Sequence, residues 1–229
     1  MDATYELIKA AQKFMQGRSD GLFQVYERTV DDVFFQLQFV MNDASHINDA
    51  LEQFYIKMSK NAFGLDKAED IIPWINESIF EQTGNWIKQN NKDILDAEKR
   101  GVYKCQKAMM PYLPGIEIDA NEAIRALENF INELPVLHKE TALAYYYCNM
   151  PMEKLVEVLE TSRFVISERI NYIEKTLTDR LADYCRERGA AMPPVNTQRI
   201  GKALAELSKL YRYPYAEELF ANIRIKAVH

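Results

Sequence analysis

The sequence predicts an all-α protein of two helical domains with a helical extension at its C-terminal end. Three observations carry that expectation. Glycine supplies only 8 of 229 residues, about half its ordinary share of ~7%, so the residue that makes tight hairpins is scarce. Apolar positions recur at helical spacing in nearly every window. Apolar and charged fractions of 48% and 27% are those of packed globular chains rather than disordered tails or coiled-coil rods. A domain typically holds about 100–150 residues, so the length suits one large or two modest cores.

The elements follow in order. Leu22, Phe23, Tyr26, Val30, Val33, Phe34, Leu37, Val40 and Met41 line one face of a helix that begins near Asp20. Further helices are expected over about 45–60, about 67–92 with a break near Gly84, and about 95–110. Asp66 with Glu69, and Asp119 with Glu122, each set an acceptor at a helix start and a carboxylate three residues on. Between long helical patterns, Met110 to Asp119 holds two prolines and a glycine, the punctuation of a linker. Helices then follow over about 120–132, 136–148, 151–160 and 162–188. Pro135 and Pro151 stand where a first-turn proline costs no hydrogen bond. Beyond Gly189, Pro193 and Pro194 come helices over about 196–210 and 214–225. The expected organisation is a domain over 1–112, a linker over 113–118, a second domain over 119–188 and an extension over 189–229.

Composition narrows the function classes. The net charge is −6 and the pI near 5.3, which argues against nucleic-acid binding by bulk electrostatics alone. Residues 1–150 carry 15 Lys and Arg against 23 Asp and Glu, whereas 151–229 carry 13 against 11, so the halves are expected to do different jobs. Cys105, Cys148 and Cys185 are widely spaced and make neither a disulfide framework nor a metal pair. No apolar run approaches the ~18–20 residues of a membrane span, and the first residues lack a secretion signal's order. A soluble, cytoplasmic protein is expected.

Chemistry-bearing motifs are missing. There is no glycine loop for phosphates, no His-x-x-x-His pair and no nucleophile elbow. His46, His138 and His229 are isolated, and the Glu-x-x-His pattern of di-metal bundles is absent. The expectation is a protein that is not an enzyme, with no metal and no cofactor.

Residues 151–170 carry the most information. A short amphipathic helix with Leu155, Val156 and Leu159 inward, a tight break, and a longer helix with Val165, Ile166, Ile170 and Ile173 inward make helix-turn-helix grammar. Thr161 or Ser162 is placed to cap the second helix. Ser162, Arg163, Ser167 and Arg169 would then face a DNA major groove, where base edges carry a distinguishing donor and acceptor pattern. A plain helical hairpin stays equally open. Glu160 and Glu168 favour it, since carboxylates repel a phosphate backbone.

Over about 7–188 the chain resembles the sigma factors of bacterial RNA polymerase, of the sigma-70 family. The likeness is to the compact alternative, extracytoplasmic-function-like type that keeps conserved regions two and four. Ala10 to Tyr26 is similar to the family's opening helix, turn and aromatic helix start. Asn42 to Phe54 follows, without a gap, the pattern running from an Asn through an acidic stretch to Gln-Glu-x-Phe, with Glu52 and Phe54 kept, Asn48 at the usual aspartate and Leu51 at the usual glutamine. Pro73-Trp74-Ile75 resembles the Trp-Leu opening of the promoter-melting helix, and Asn85 to Lys92 stands at the family's Asp-x-x-Arg and basic cluster. Leu134-Pro135, Leu155-Val156-Glu157 and Val165 to Ile170 match the fourth region in order and interval.

The resemblance implies an all-α transcription-initiation factor whose second domain contains a helix-turn-helix, with core RNA polymerase and promoter DNA as partners and no membrane partner. It leaves an anti-sigma partner open. Asn48, Leu51 and Glu52 would meet the polymerase. Phe63, Lys67, Trp74, Trp86, Lys88 and Lys92 would hold unstacked bases of the minus-ten element, which needs aromatic surfaces and cations. Ser162, Arg163, Ser167 and Arg169 would read the minus-thirty-five element. For both tryptophans the plain alternative is core packing. Glu77, Glu81, Glu160 and Glu168 are departures that motivate a second reading, a sigma-like interaction protein without promoter reading. A helical enzyme ranks last. Residues 189–229 lie beyond the likeness. Tyr211, Tyr213, Tyr215 and Phe220 form an aromatic seam expected to pack on the helix-turn-helix domain or on a partner, and Lys202, Lys209, Arg212, Arg224 and Lys226 are expected at solvated surface or, alternatively, on DNA.

Overall fold

The computed structural model describes residues 3–61, 65–90 and 120–227. Every described element is helical: α1 (Ala3–Met15), α2 (Ser19–Met41), α3 (Ala44–Asn61), a 3-10 turn (Ala68–Asp70), α4 (Ile71–Asn90), α5 (Ala120–Asn132), α6 (Val136–Ala142) continued by a π-helical turn (Leu143–Tyr147), α7 (Met152–Val158), α8 (Arg163–Glu187), α9 (Thr197–Ser208) and α10 (Ala216–Ala227). No described helix is long and apolar enough to cross a membrane. The helix expected over about 95–110, the linker over 113–118 and the Asp119 cap lie outside the described residues.

The chain forms two compact units, residues 1–82 with 211–229, and residues 83–210. In the first, α2 is the central helix. Val33, Leu37 and Val40 are fully or almost fully buried, and so are Val25, Phe35 and Phe39, which the single expected stripe omitted. The stripe widens because α1, α3 and α10 all pack on α2. Gly21 makes the α1 contact: a Cβ there would stand 2.3 Å from the Phe14 backbone nitrogen, closer than any side chain allows. At the other end, Asn42 adopts φ 46° and returns its N–H to the Gln38 carbonyl, the left-handed cap that Asn tolerates better than other non-glycine residues. From α3, Ile47, Leu51, Phe54, Tyr55 and Met58 are almost fully buried. A fully buried side chain of this size contributes about 1.5–3 kcal/mol.

The second unit is built around α8, against which α5, α6 and α7 pack. Ile166, Ile173, Leu177 and Leu181 from α8 are fully buried, as are Leu127, Ile131, Leu143 and Leu155. α9 lies on α5 and on the π turn, and Gly201 permits it: a Cβ would meet the Tyr146 carbonyl oxygen at 2.8 Å.

Three local expectations are corrected. The helix does not break at Gly84, where a side chain would meet nothing within 4 Å and α4 continues to Asn90. Asp66 caps nothing; Lys67 precedes the 3-10 turn and makes no capping bond. Pro135 and Pro151 occupy the cap positions before α6 and α7 rather than their first turns. The helix expected over 136–148 is present, its last turn wound as a π-helix in which the Cys148 N–H reaches back to the Leu143 carbonyl at 2.8 Å, a five-residue step. The C-terminal extension also divides: α9 belongs to the second unit, whereas Tyr211 onward, with α10, belongs to the first.

Candidate functional site

The first candidate is the outer end of the α7–α8 pair. α7 closes with the left-handed Glu160, φ 46°. The Glu160 N–H bonds the Glu157 carbonyl and the Thr161 N–H the Val156 carbonyl, both at 3.3 Å, the double closure usually built on glycine. Ser162 then caps α8, its Oγ accepting the Val165 N–H at 3.2 Å, as its residue type and place anticipate. This closure leaves the first turn of α8 in solvent. Arg163 is exposed there, its guanidinium 3.6 Å from a Glu153 carboxylate oxygen. Phe164 beside it is 74% exposed. Sequence reasoning missed Phe164; the signal was its place next to Arg163 in the first turn, outside the stripe of Val165, Ile166, Ile170 and Ile173.

Other residues of this group turn away. The Ser167 hydroxyl donates to the Arg163 carbonyl at 2.9 Å. Arg169, expected at a groove, is an interior residue: it is 5% exposed, and its guanidinium donates to the Thr141 hydroxyl at 3.4 Å. It also lies beside His138. Burial, reinforced by the Arg169 charge, lowers the His138 pKa to about 3, while its ring lies 4.4 Å from that of Tyr172. Burial likewise lowers Lys139 to about 8. α6 is therefore a buried polar helix: Thr83 donates to the Glu140 carboxylate at 2.8 Å.

Of the expected minus-ten residues, Phe63 and Lys92 lie outside the described residues. Lys67 is exposed. Trp74 is half-buried in the first unit, its ring 5.7 Å from that of Phe54. Trp86 is half-buried in the second, and its indole nitrogen is buried without a hydrogen-bond acceptor. Lys88 reaches Glu160 at 2.6 Å, which joins it to the α7–α8 turn.

The second candidate is the exposed side of α3. Leu51 is corrected: with no exposure at all it is a core residue and presents nothing to a partner. Asn48 and Glu52 do face outward, and both are already engaged by the chain. The Tyr213 hydroxyl donates to Asn48 Oδ1 at 2.9 Å, and Lys226 Nζ to Glu52 Oε2 at 2.8 Å. A cleft of about 420 Å³ between α3 and α10 is lined by Asn48, Asp49, Glu52, Tyr213, Tyr215 and Glu218, among others.

Among the described residues, no group of three or more His, Cys, Asp or Glu side chains could hold a metal ion. His46 pairs with Asp43 at 2.7 Å on the surface, and His229 is outside the described residues. Compared with known proteins, the chain matches no family model and no curated relative.

Proposed function

We propose that this protein is an alternative sigma factor: a cytoplasmic, non-enzymatic subunit that binds core RNA polymerase and directs it to promoters. The observation that carries the reading is the exposed first turn of α8. A helix N-terminus offers free N–H groups and a positive dipole end to a phosphate backbone. Arg163 is the residue type that pairs bidentately with guanine, and Phe164 the type that packs on a thymine methyl group. Closure of the α7–α8 turn holds both at the tip of a rigid helix, the placement through which a helix-turn-helix reads the major groove.

The acidic net charge of −6 fits a factor that binds DNA weakly alone. Two weak surfaces suffice when the polymerase presents the promoter at high effective concentration. The test is co-elution of the purified protein with bacterial core RNA polymerase, with a known sigma factor as competitor. Displacement by the competitor is expected, followed by a changed genome-wide promoter profile for Arg163→Ala. An unchanged profile removes the recognition role from α8.

One observation favours a second reading, a sigma-like interaction protein without promoter reading. Glu160 engages Lys88 and Glu153 lies beside Arg163, so cations near the tip already face carboxylates. Footprinting with reconstituted holoenzyme separates the two, because only a promoter reader protects DNA in a sequence-dependent way.

A further inference from the structure

The segment from Tyr211 through α10 lies on the face of α3 that carries Asn48 and Glu52, in the same compact unit. Its attachment is continuous. Tyr211 stacks 5.1 Å from Phe35 and Tyr213 5.2 Å from Phe34. The Tyr213 N–H donates to Asp31 at 2.9 Å, and the Tyr26 hydroxyl donates to the Ala216 carbonyl at 2.6 Å. Phe220 then packs on Phe23 and Tyr26 at 4.9 and 5.0 Å, while Leu219 and Ile223 are 6% and 0% exposed.

From these contacts we infer that residues 211–227 are an autoinhibitory strap, which must leave α3 before core RNA polymerase binds there. The inference rests on the reading of Asn48 and Glu52 as polymerase-facing. Each residue gives one acceptor to the strap, Asn48 Oδ1 to Tyr213 and Glu52 Oε2 to Lys226, so strap and partner compete for these two oxygens. The outer parts of the strap are held less firmly than its buried anchors. α10 has 12 residues, too few to hold a helix well by itself in water, and Tyr215 and Ile225 remain 56% and 65% exposed. Its ion pairs, Lys226 with Glu52 and Arg212 with Asp31, are of the solvent-facing kind that contributes little. A closed strap lowers the apparent affinity for polymerase by the fraction of molecules that are open.

The test measures binding of full-length protein to core RNA polymerase for the wild type, Ile223→Ala, and Tyr213→Phe combined with Lys226→Ala. Hydrogen exchange on wild type, free and polymerase-bound, accompanies it. The double variant leaves the apolar anchors intact and so guards against a folding defect in the first. Loosening the strap should tighten binding, by about tenfold for Ile223→Ala and severalfold for the double variant, and polymerase should strip exchange protection from α10. Equal or weaker binding by the variants, with the sigma competitor still displacing the wild type, overturns the strap and leaves the polymerase reading standing. Failure of every form to bind, with helical circular dichroism intact, overturns the polymerase reading and the strap with it.

Discussion

Acid should destabilise the second unit in a part that can be traced to one side chain. His138 has no exposure and a folded pKa lowered from 6.5 to about 3 by burial first and the Arg169 charge second. The unfolded chain takes up its proton near 6.5, the folded one near 3. The unfolded state therefore binds more protons between those values, and stability falls as pH drops through that window and is fully present above it. From pH 7 to pH 5 the loss amounts to about 2 kcal/mol, since one unit of pKa difference is worth 1.36 kcal/mol. Urea unfolding followed by circular dichroism at both pH values reads this directly, and His138→Leu supplies the comparison, because other groups titrate equally in both proteins. The expected result is a pH dependence smaller by about 2 kcal/mol in the variant. Identical slopes would falsify the assignment of a neutral, interior imidazole.

Gly21→Ala forces the new methyl onto the Phe14 backbone and should cost at least about 1–3 kcal/mol, the usual penalty of overpacking, seen as a lower urea midpoint. Glu160→Gly removes a side chain from a left-handed residue and should stabilise by up to about 1 kcal/mol, while freeing Lys88; a destabilised variant would mean the ion pair outweighs the backbone strain. Phe54→Ala empties a fully buried site beside Tyr55 and Trp74 and should cost about 3–5 kcal/mol. Arg169→Ala should cost about 1.5–3 kcal/mol from a lost charged hydrogen bond, whereas Arg163→Ala should leave thermal stability within about 0.5 kcal/mol of the parent; equal losses would contradict the buried and exposed placements of the two arginines.

Helix order and most boundaries were legible because caps and periodicity are local. Ser162 declares the start of α8 by residue type and position, and Asn196 does the same for α9, accepting the Arg199 N–H at 2.9 Å. What failed was decided by neighbours. Gly84 signals a break in isolation, yet nothing crowds it and the helix runs on. Leu51 and Arg169 were assigned by position in a likeness, but position carries intervals, not exposure, and both point inward. Phe164 belongs neither to the apolar stripe nor to the polar candidates of its helix, so neither criterion picked it out. The seam of Tyr211, Tyr213 and Phe220 was visible as a sticky stretch. Its seat was not, because contacts such as that of Tyr26 with Ala216, 190 residues apart, leave no trace in any local window.

That long-range seating has a consequence during synthesis. The first 82 residues leave the ribosome well before residue 211, at about 5–20 residues per second. For on the order of ten seconds, the nascent first unit must exist with the Phe23, Tyr26 and Phe34 surface of α2 uncovered. An aromatic trough open to solvent for that long is a natural site for chaperone capture or for premature pairing with another nascent copy.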